Sequence, residues 1–154
     1  MEMQIKKAAL SDLPLLMEWR MRVLKEVFAL PDNADMSALY AENERYYRES
    51  LRTDTHTACF ACLDGRVIGC GGICYQTEMP SPDNPGGTCG YLMNIYALPE
   101  HRGKGVGKAI VSYLTGDAKR RQVGKLSLES SDIAEGLYLR MGFEKNGHFY
   151  LKYL

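Results

Sequence analysis

Apolar residues recur at helical spacing in three stretches of the chain and alternate with polar ones in several others. Leu13, Leu16, Met17, Leu24, Val27 and Phe28 follow the helical period, which predicts a helix. Ser11-Asp12 supplies its N-cap and Pro14 stands in the first turn, where a missing N–H costs nothing. Pro31-Asp32-Asn33 ends it. A second helix is predicted from Ser37 to about Leu51, with Leu39, Tyr40, Asn43, Tyr46, Tyr47 and Leu51 on much of one face. Trp19, Tyr40, Tyr46 and Tyr47 make this part of the chain unusually aromatic, suited either to a substrate groove or to plain helix-on-sheet packing. A third helix places Val106, Ile110, Val111, Leu114 and Ala118 on its apolar side and runs to about Arg121. Ser130-Ser131-Asp132 caps a last one, through Tyr138 to about Arg140.

Strands are predicted at Gln4 to Ala9, Thr57 to Leu63, Arg66 to Gln76, Tyr91 to Leu98 and Lys125 to Glu129, with one or two more within Phe143 to Tyr153. Asp64-Gly65 joins the second and third as a two-residue hairpin turn. Gly69, Gly71 and Gly72 weaken the third strand and predict a bulge or close packing. The order β-α-α-β-β-β-α-β-α-β implies an α/β fold, a six- to seven-stranded mixed sheet with helices on both faces. The crossover from the fourth strand to the fifth is expected to be parallel and right-handed. Pro80 to Gly87, the longest loop, reads as a substrate lid or as a solvated connection.

Composition narrows the function. Residues 1–154 suit a single domain with a proper core. Lys+Arg and Asp+Glu number 19 each, so no global field draws the chain to nucleic acid or to an anionic membrane. Lys119-Arg120-Arg121 reads as the solvated last turn of a helix, where cations suit the dipole. No apolar run approaches the ~20 residues of a membrane span, and the N-terminus lacks the apolar core of a signal peptide. Cytoplasmic residence is the expectation. Cys59 and Cys62 are three apart on a strand and so point to opposite faces. They cannot share one metal, and buried free thiols with no metal are expected.

The chemistry concentrates at Pro99-Glu100-His101-Arg102-Gly103-Lys104-Gly105-Val106-Gly107-Lys108. Three glycines at alternating positions stand where a strand hands over to a helix whose first N–H groups are unpaired. That arrangement favours a phosphate or pyrophosphate. It is not a Walker A loop, because Gly107-Lys108 is followed by Ala109 and Arg102 replaces the first glycine. A dinucleotide fingerprint fails too: it needs glycine at Lys108 and belongs to the first strand.

The stretch Arg102-Gly103-Lys104-Gly105-Val106-Gly107 resembles the acyl-CoA loop [Q/R]-x-x-G-x-[G/A] of the GNAT superfamily of N-acetyltransferases. Leu137-Tyr138-Leu139-Arg140-Met141-Gly142-Phe143 is similar to that family's C-terminal L-Y-x-x-x-G-F signature. The resemblance covers the whole element order and is specific in residues only in the second half. It implies that acetyl-CoA is the acyl donor, its pyrophosphate bound by Arg102, Gly103, Lys104, Gly105, Val106, Gly107 and Lys108. It further implies that Ile95, Tyr96 and Ala97 run along the pantetheine arm, and that Ser131 stands where many members carry Asn near the cofactor. Tyr138 looks like the general acid that protonates the departing thiolate. Glu129 corresponds either to a general base used by some relatives or to a carboxylate that binds a cationic acceptor.

Three functions compete on these residues. The first is transfer of an acetyl group to a primary amine, on a small molecule or a protein. The second is a non-catalytic acyl-CoA-binding or sensing domain, against which Tyr138 argues. The third is a nucleic-acid module using Lys104, Lys108 and the Lys119 cluster, against which zero net charge argues. The acceptor is unnamed by any motif. Glu26, Asp32, Asp35, Glu42, Glu44 and Glu78 are candidates to attract a cationic one, and edge strands admit a homodimer.

Overall fold

A computed structural model describes residues 2–154. Its strands are β1 (Met3–Lys7), β2 (His56–Leu63), β3 (Arg66–Thr77), β4 (Thr88–Ala97) and β5 (Lys125–Leu128). They form one mixed sheet in sequence order, antiparallel from β1 to β4 and parallel between β4 and β5. The helices are α1 (Leu13–Val27), α2 (Ser37–Arg52), α3 (Val106–Arg120) and α4 (Glu135–Arg140).

Alternation along β2 builds a core on each side of the sheet. Ala58, Phe60 and Cys62 pack with Leu16, Met17, Trp19 and Val23 of α1 and Tyr47 of α2. Cys59 and Ala61, on the opposite face, pack with Val106, Ile110 and Leu114 of α3. Cys59 and Cys62 therefore do face opposite ways. The hairpin turn has both central residues in the left-handed region, Asp64 at φ 50° and Gly65 at φ 79°; this backbone twist matches that of the flanking strands. On β3, a Cβ at Gly71 would lie 2.3 Å from Ile110 Cγ2, so glycine there is what lets α3 seat against the sheet. The β3–β4 register also shifts between Cys70 and Gly72.

A buried polar knot ties the C-terminal end of α3 to the sheet. The Asp117 carboxylate accepts hydrogen bonds from Thr57 Oγ1 (2.7 Å), Tyr75 OH (2.6 Å) and Arg121 Nε (2.9 Å). Arg121 also pairs with Asp54. Burial pushes the Asp117 pKa up, but the donors outweigh it and hold the group at about 2.

The strand count corrects the expectation of six or seven: five form among the described residues. Phe143 to Tyr153 carries no strand. Phe143 itself is half-buried against the α3-side core, but Tyr150 and Tyr153 are 88% and 90% exposed. The intervening polar run is fixed as a local turn, in which the His148 N–H donates to Asn146 Oδ1 and Lys145 pairs with Glu135. Alternating apolar residues make a strand only where a partner strand and a face to bury exist. The last strand ends at Leu128, so Glu129 lies just past it.

Candidate functional site

The pairing of β4 with β5 begins at Cys89–Lys125 and stops at Leu92–Leu128. Since β4 continues to Ala97, Met93 to Ala97 have no strand partner on that side, and the sheet opens there into a splay. The bulge falls at the same point. Gly72 pairs with Met93 and Cys70 with Tyr96, which leaves Asn94 and Ile95 opposite Gly71. Asn94 has φ 61°, a left-handed conformation that is uncommon for a residue within a strand.

A tight turn at Pro99–His101 leads from β4 into the glycine loop. Gly103 and Gly105 have φ of 71° and 85° with open space around their Cβ positions. Glycine is required at both for conformation, not for room. The first backbone hydrogen bond of α3 runs from Ala109 N–H to the Gly105 carbonyl, at 3.0 Å. Among the described residues, none of the N–H groups from Gly103 to Lys108 donates to a backbone acceptor outside its own helix, and the first turn of a helix has none within it. Unpaired donors, the positive end of the α3 dipole and two exposed lysines converge here. Neither Lys104 nor Lys108 is in an ion pair among the described residues. Such a cluster of donors and positive charge is complementary to a polyanion.

Arg102 is oriented by its neighbours. Its Nε donates to the Ala97 carbonyl at 3.0 Å, and its guanidinium pairs with Glu26 at the end of α1. The other Glu26 oxygen accepts from Tyr96 OH. The Tyr96 hydrogen bond, followed by the Arg102 contact, lowers the Glu26 pKa. The sequence offered Glu26 only as one of several acids to attract a cationic acceptor; the structure pairs it instead with Arg102, 76 positions away. The expected pantetheine residues thus differ in what they offer. Ile95 packs into the α3-side core, Tyr96 is buried on the α1 side, and the Ala97 carbonyl already has a donor.

Tyr138, on α4, is 8% exposed and meets Phe143 edge-on with ring centroids 5.8 Å apart. Burial alone raises its pKa, so the phenol stays protonated at neutral pH. A Cβ at Gly107 would lie 3.4 Å from Cδ2 of Leu137, which sets α4 against the start of α3. Glu129 is exposed, and its negative charge adds to burial in raising the pKa of Tyr91. Tyr91 pairs with Ser127 one rung before the splay; Glu129 therefore stands at the closed end of the opening. Ser131 is exposed, and its Oγ accepts from the Ala134 N–H at 3.3 Å in the turn before α4.

Other expectations resolve differently. Trp19 and Tyr47 are core residues, each 4% exposed, whereas Tyr40 and Tyr46 reach the surface. The Pro80 to Gly87 loop is anchored. Asn84 is buried in it and donates to the Thr88 carbonyl at 3.1 Å, while Glu78 just before it pairs with Lys125. No helix among the described residues is long and apolar enough to cross a membrane.

Comparison with known proteins bears on this geometry. Mouse N-acetyltransferase 8F1 is 28% identical over 124 residues, covering 70% of this chain and 54% of the relative. Mouse N-acetyltransferase 8B is 30% identical over 103 residues, 63% of this chain and 42% of the relative. The chain spans about half the length of the curated relatives it matches. Among solved structures, a predicted acetyltransferase from Clostridium acetobutylicum, crystallised with acetyl-CoA, superposes with a TM-score of 0.87 at 26% identity, covering 99% of this chain and 96% of the other. A GCN5-related N-acetyltransferase from Ralstonia eutropha JMP134 shares the fold with a TM-score of 0.82 at 20% identity, over 99% of both chains. A family model described as the acetyltransferase (GNAT) family matches residues 16–143, a span that takes in most of α1, the splay, the glycine loop and Tyr138; the chain belongs to that family.

Proposed function

We propose that this protein transfers the acetyl group of acetyl-CoA to a primary amine held in the splay between β4 and β5. The observation that carries the reading is the run of unpaired N–H groups from Gly103 to Lys108, with two lysines that make no ion pair among the described residues, next to the five β4 residues that have no partner in β5. A pyrophosphate fits the first and a pantetheine arm the second. The amine nitrogen attacks the thioester carbonyl carbon, a C–N bond forms and the C–S bond breaks. Glu129 takes the proton lost by the amine, directly or through water, and Tyr138 gives its phenolic proton to the departing sulfur. Solvent exchange returns both groups to their starting states, so the products are an amide and free CoA. A backbone N–H of the unpaired β4 edge suits the oxyanion that develops at the carbonyl.

The test is CoA thiol release against amino acids, short peptides, polyamines and aminoglycosides. Tyr138→Phe is expected to lower kcat by about 100-fold or more while acetyl-CoA affinity and folding stability stay at wild-type values. Unchanged turnover in that variant refutes the acid role. Acetyl-CoA binding without thiol release on any amine supports a sensing domain instead.

A further inference from the structure

Arg20 is a cation held by side-chain amides and by no ion pair among the described residues. It lies on α1, half-buried, and reaches across the α1–α2 face of the sheet to the bulge in β4. Its Nε donates to Asn43 Oδ1 at 2.9 Å and its Nη1 to Asn94 Oδ1 at 3.1 Å. Both acceptors are themselves held in place. Asn43 Nδ2 donates to the Leu39 carbonyl at 2.8 Å, which turns its oxygen toward the arginine, and Asn94 sits in the left-handed bulge with its Nδ2 on Cys70 Sγ. Amide oxygens orient a guanidinium without neutralising it. Of its five N–H groups, those two bonds use two, and no carboxylate lies within ion-pair distance among the described residues.

His56, on the same face, is held neutral at pH 7, its pKa brought down to about 4 by burial and further by the charge of Arg20. Five of the six acidic residues that the sequence offers for attracting a cation are engaged elsewhere: Glu26 with Arg102, Glu42 with Arg45, Glu44 with Arg48, Glu78 with Lys125 and Asp35 with Ser37. Asn94 is two residues past the last β4–β5 rung, so Arg20 is held at the mouth of the splay. A fixed, uncompensated guanidinium at that point, with N–H groups to spare for a two-pronged contact, is complementary to a planar anion.

We infer that Arg20, positioned by Asn43 and Asn94, binds a carboxylate on the acceptor, so that the substrate is an amine carrying an acid group, such as an amino acid or its conjugate, rather than a polycation. This rests on the acetyltransferase reading for the place of the acceptor, and the test separates the two. The probes are the N-acetyl derivatives of glycine, methionine, phenylalanine and glutamine, each compared with its carboxamide by calorimetry on the CoA-saturated protein. At least one acid is expected to bind more than about tenfold tighter than its amide, the worth of a charge-assisted hydrogen bond. In Arg20→Gln the preference falls to about twofold or less, and in Arg20→Lys part of it returns. Equal binding of acid and amide by the wild type, binding of no acid at millimolar concentration, or a preference that survives Arg20→Gln each overturns the inference. If CoA binds but the acids do not, only the substrate class falls. If CoA itself fails to bind, the acetyltransferase reading falls with it.

Discussion

Replacing two glycines of the cradle separates their physical roles. Gly105 caps α3 at φ 85° and ψ 2°, where a Cβ costs roughly 1–2 kcal/mol. No neighbour lies within 4 Å of its Cβ position, so sterics with other residues add nothing. Part of that cost is offset because alanine restricts the unfolded chain, leaving Gly105→Ala about 1 kcal/mol less stable. Gly107 lies inside α3, and its Cβ would make an ordinary contact with Leu137 Cδ2. Gly107→Ala is therefore expected to be neutral or to stabilise by up to about 1 kcal/mol. Ligand binding should diverge further. Relief of the strain at Gly105 rotates the peptide that aims the N–H groups of the loop, and losing one bond to a phosphate oxygen weakens acetyl-CoA more than about tenfold. At Gly107 the helix holds the N–H in place whatever the side chain, so affinity should stay within about threefold. Urea unfolding gives the stability and calorimetry the affinity. Equal losses of affinity in both variants, or wild-type affinity in Gly105→Ala, refute a conformational role for Gly105.

The remaining predictions concern the proton acceptor and the buried knot. Glu129→Gln should lower kcat/KM at neutral pH by about 100-fold, and the deficit should shrink at alkaline pH as more of the amine is already deprotonated. A raised KM with unchanged kcat would instead make Glu129 a binding group. Asp117 has a folded pKa of about 2 against an ordinary 3.8, so its contribution of about 2 kcal/mol is complete above the ordinary value and is lost as pH falls from about 4 to 2. Urea midpoints should show that drop in the wild type and not in Asp117→Asn; parallel curves would contradict it.

The parts of this molecule legible in the sequence are those set by neighbours along the chain. The Asp64-Gly65 turn, the glycine loop and the periodic face of α3 each depend on residues within a few positions. What escaped depends on distance. Glu26 and Arg102 are 76 positions apart, and Arg20 and Asn94 are 74; only the folded sheet brings them together. The tail failed for a related reason. Phe149, Leu151 and Tyr153 alternate as a strand does, but pairing is a property of two segments, and β5 with four residues presents a short edge. Gly103 shows the opposite case: it lies at a variable position of the acyl-CoA motif, yet its φ of 71° demands glycine.

The distribution of thiols shapes how this protein can be measured. Cys59, Cys62, Cys70 and Cys89 are buried and Cys74 is half-buried. Burial pushes Cys59 and Cys70 up to about 12 and raises Cys74 as well, so little of any of them is the reactive thiolate at neutral pH. A disulfide reagent added to detect released CoA therefore competes with one slow protein sulfur. The other four lie on β2, β3 and β4, and they react only when the sheet opens. One colour reaction reads two clocks: its fast phase counts turnovers, and its slow phase, without substrate, counts openings of the sheet.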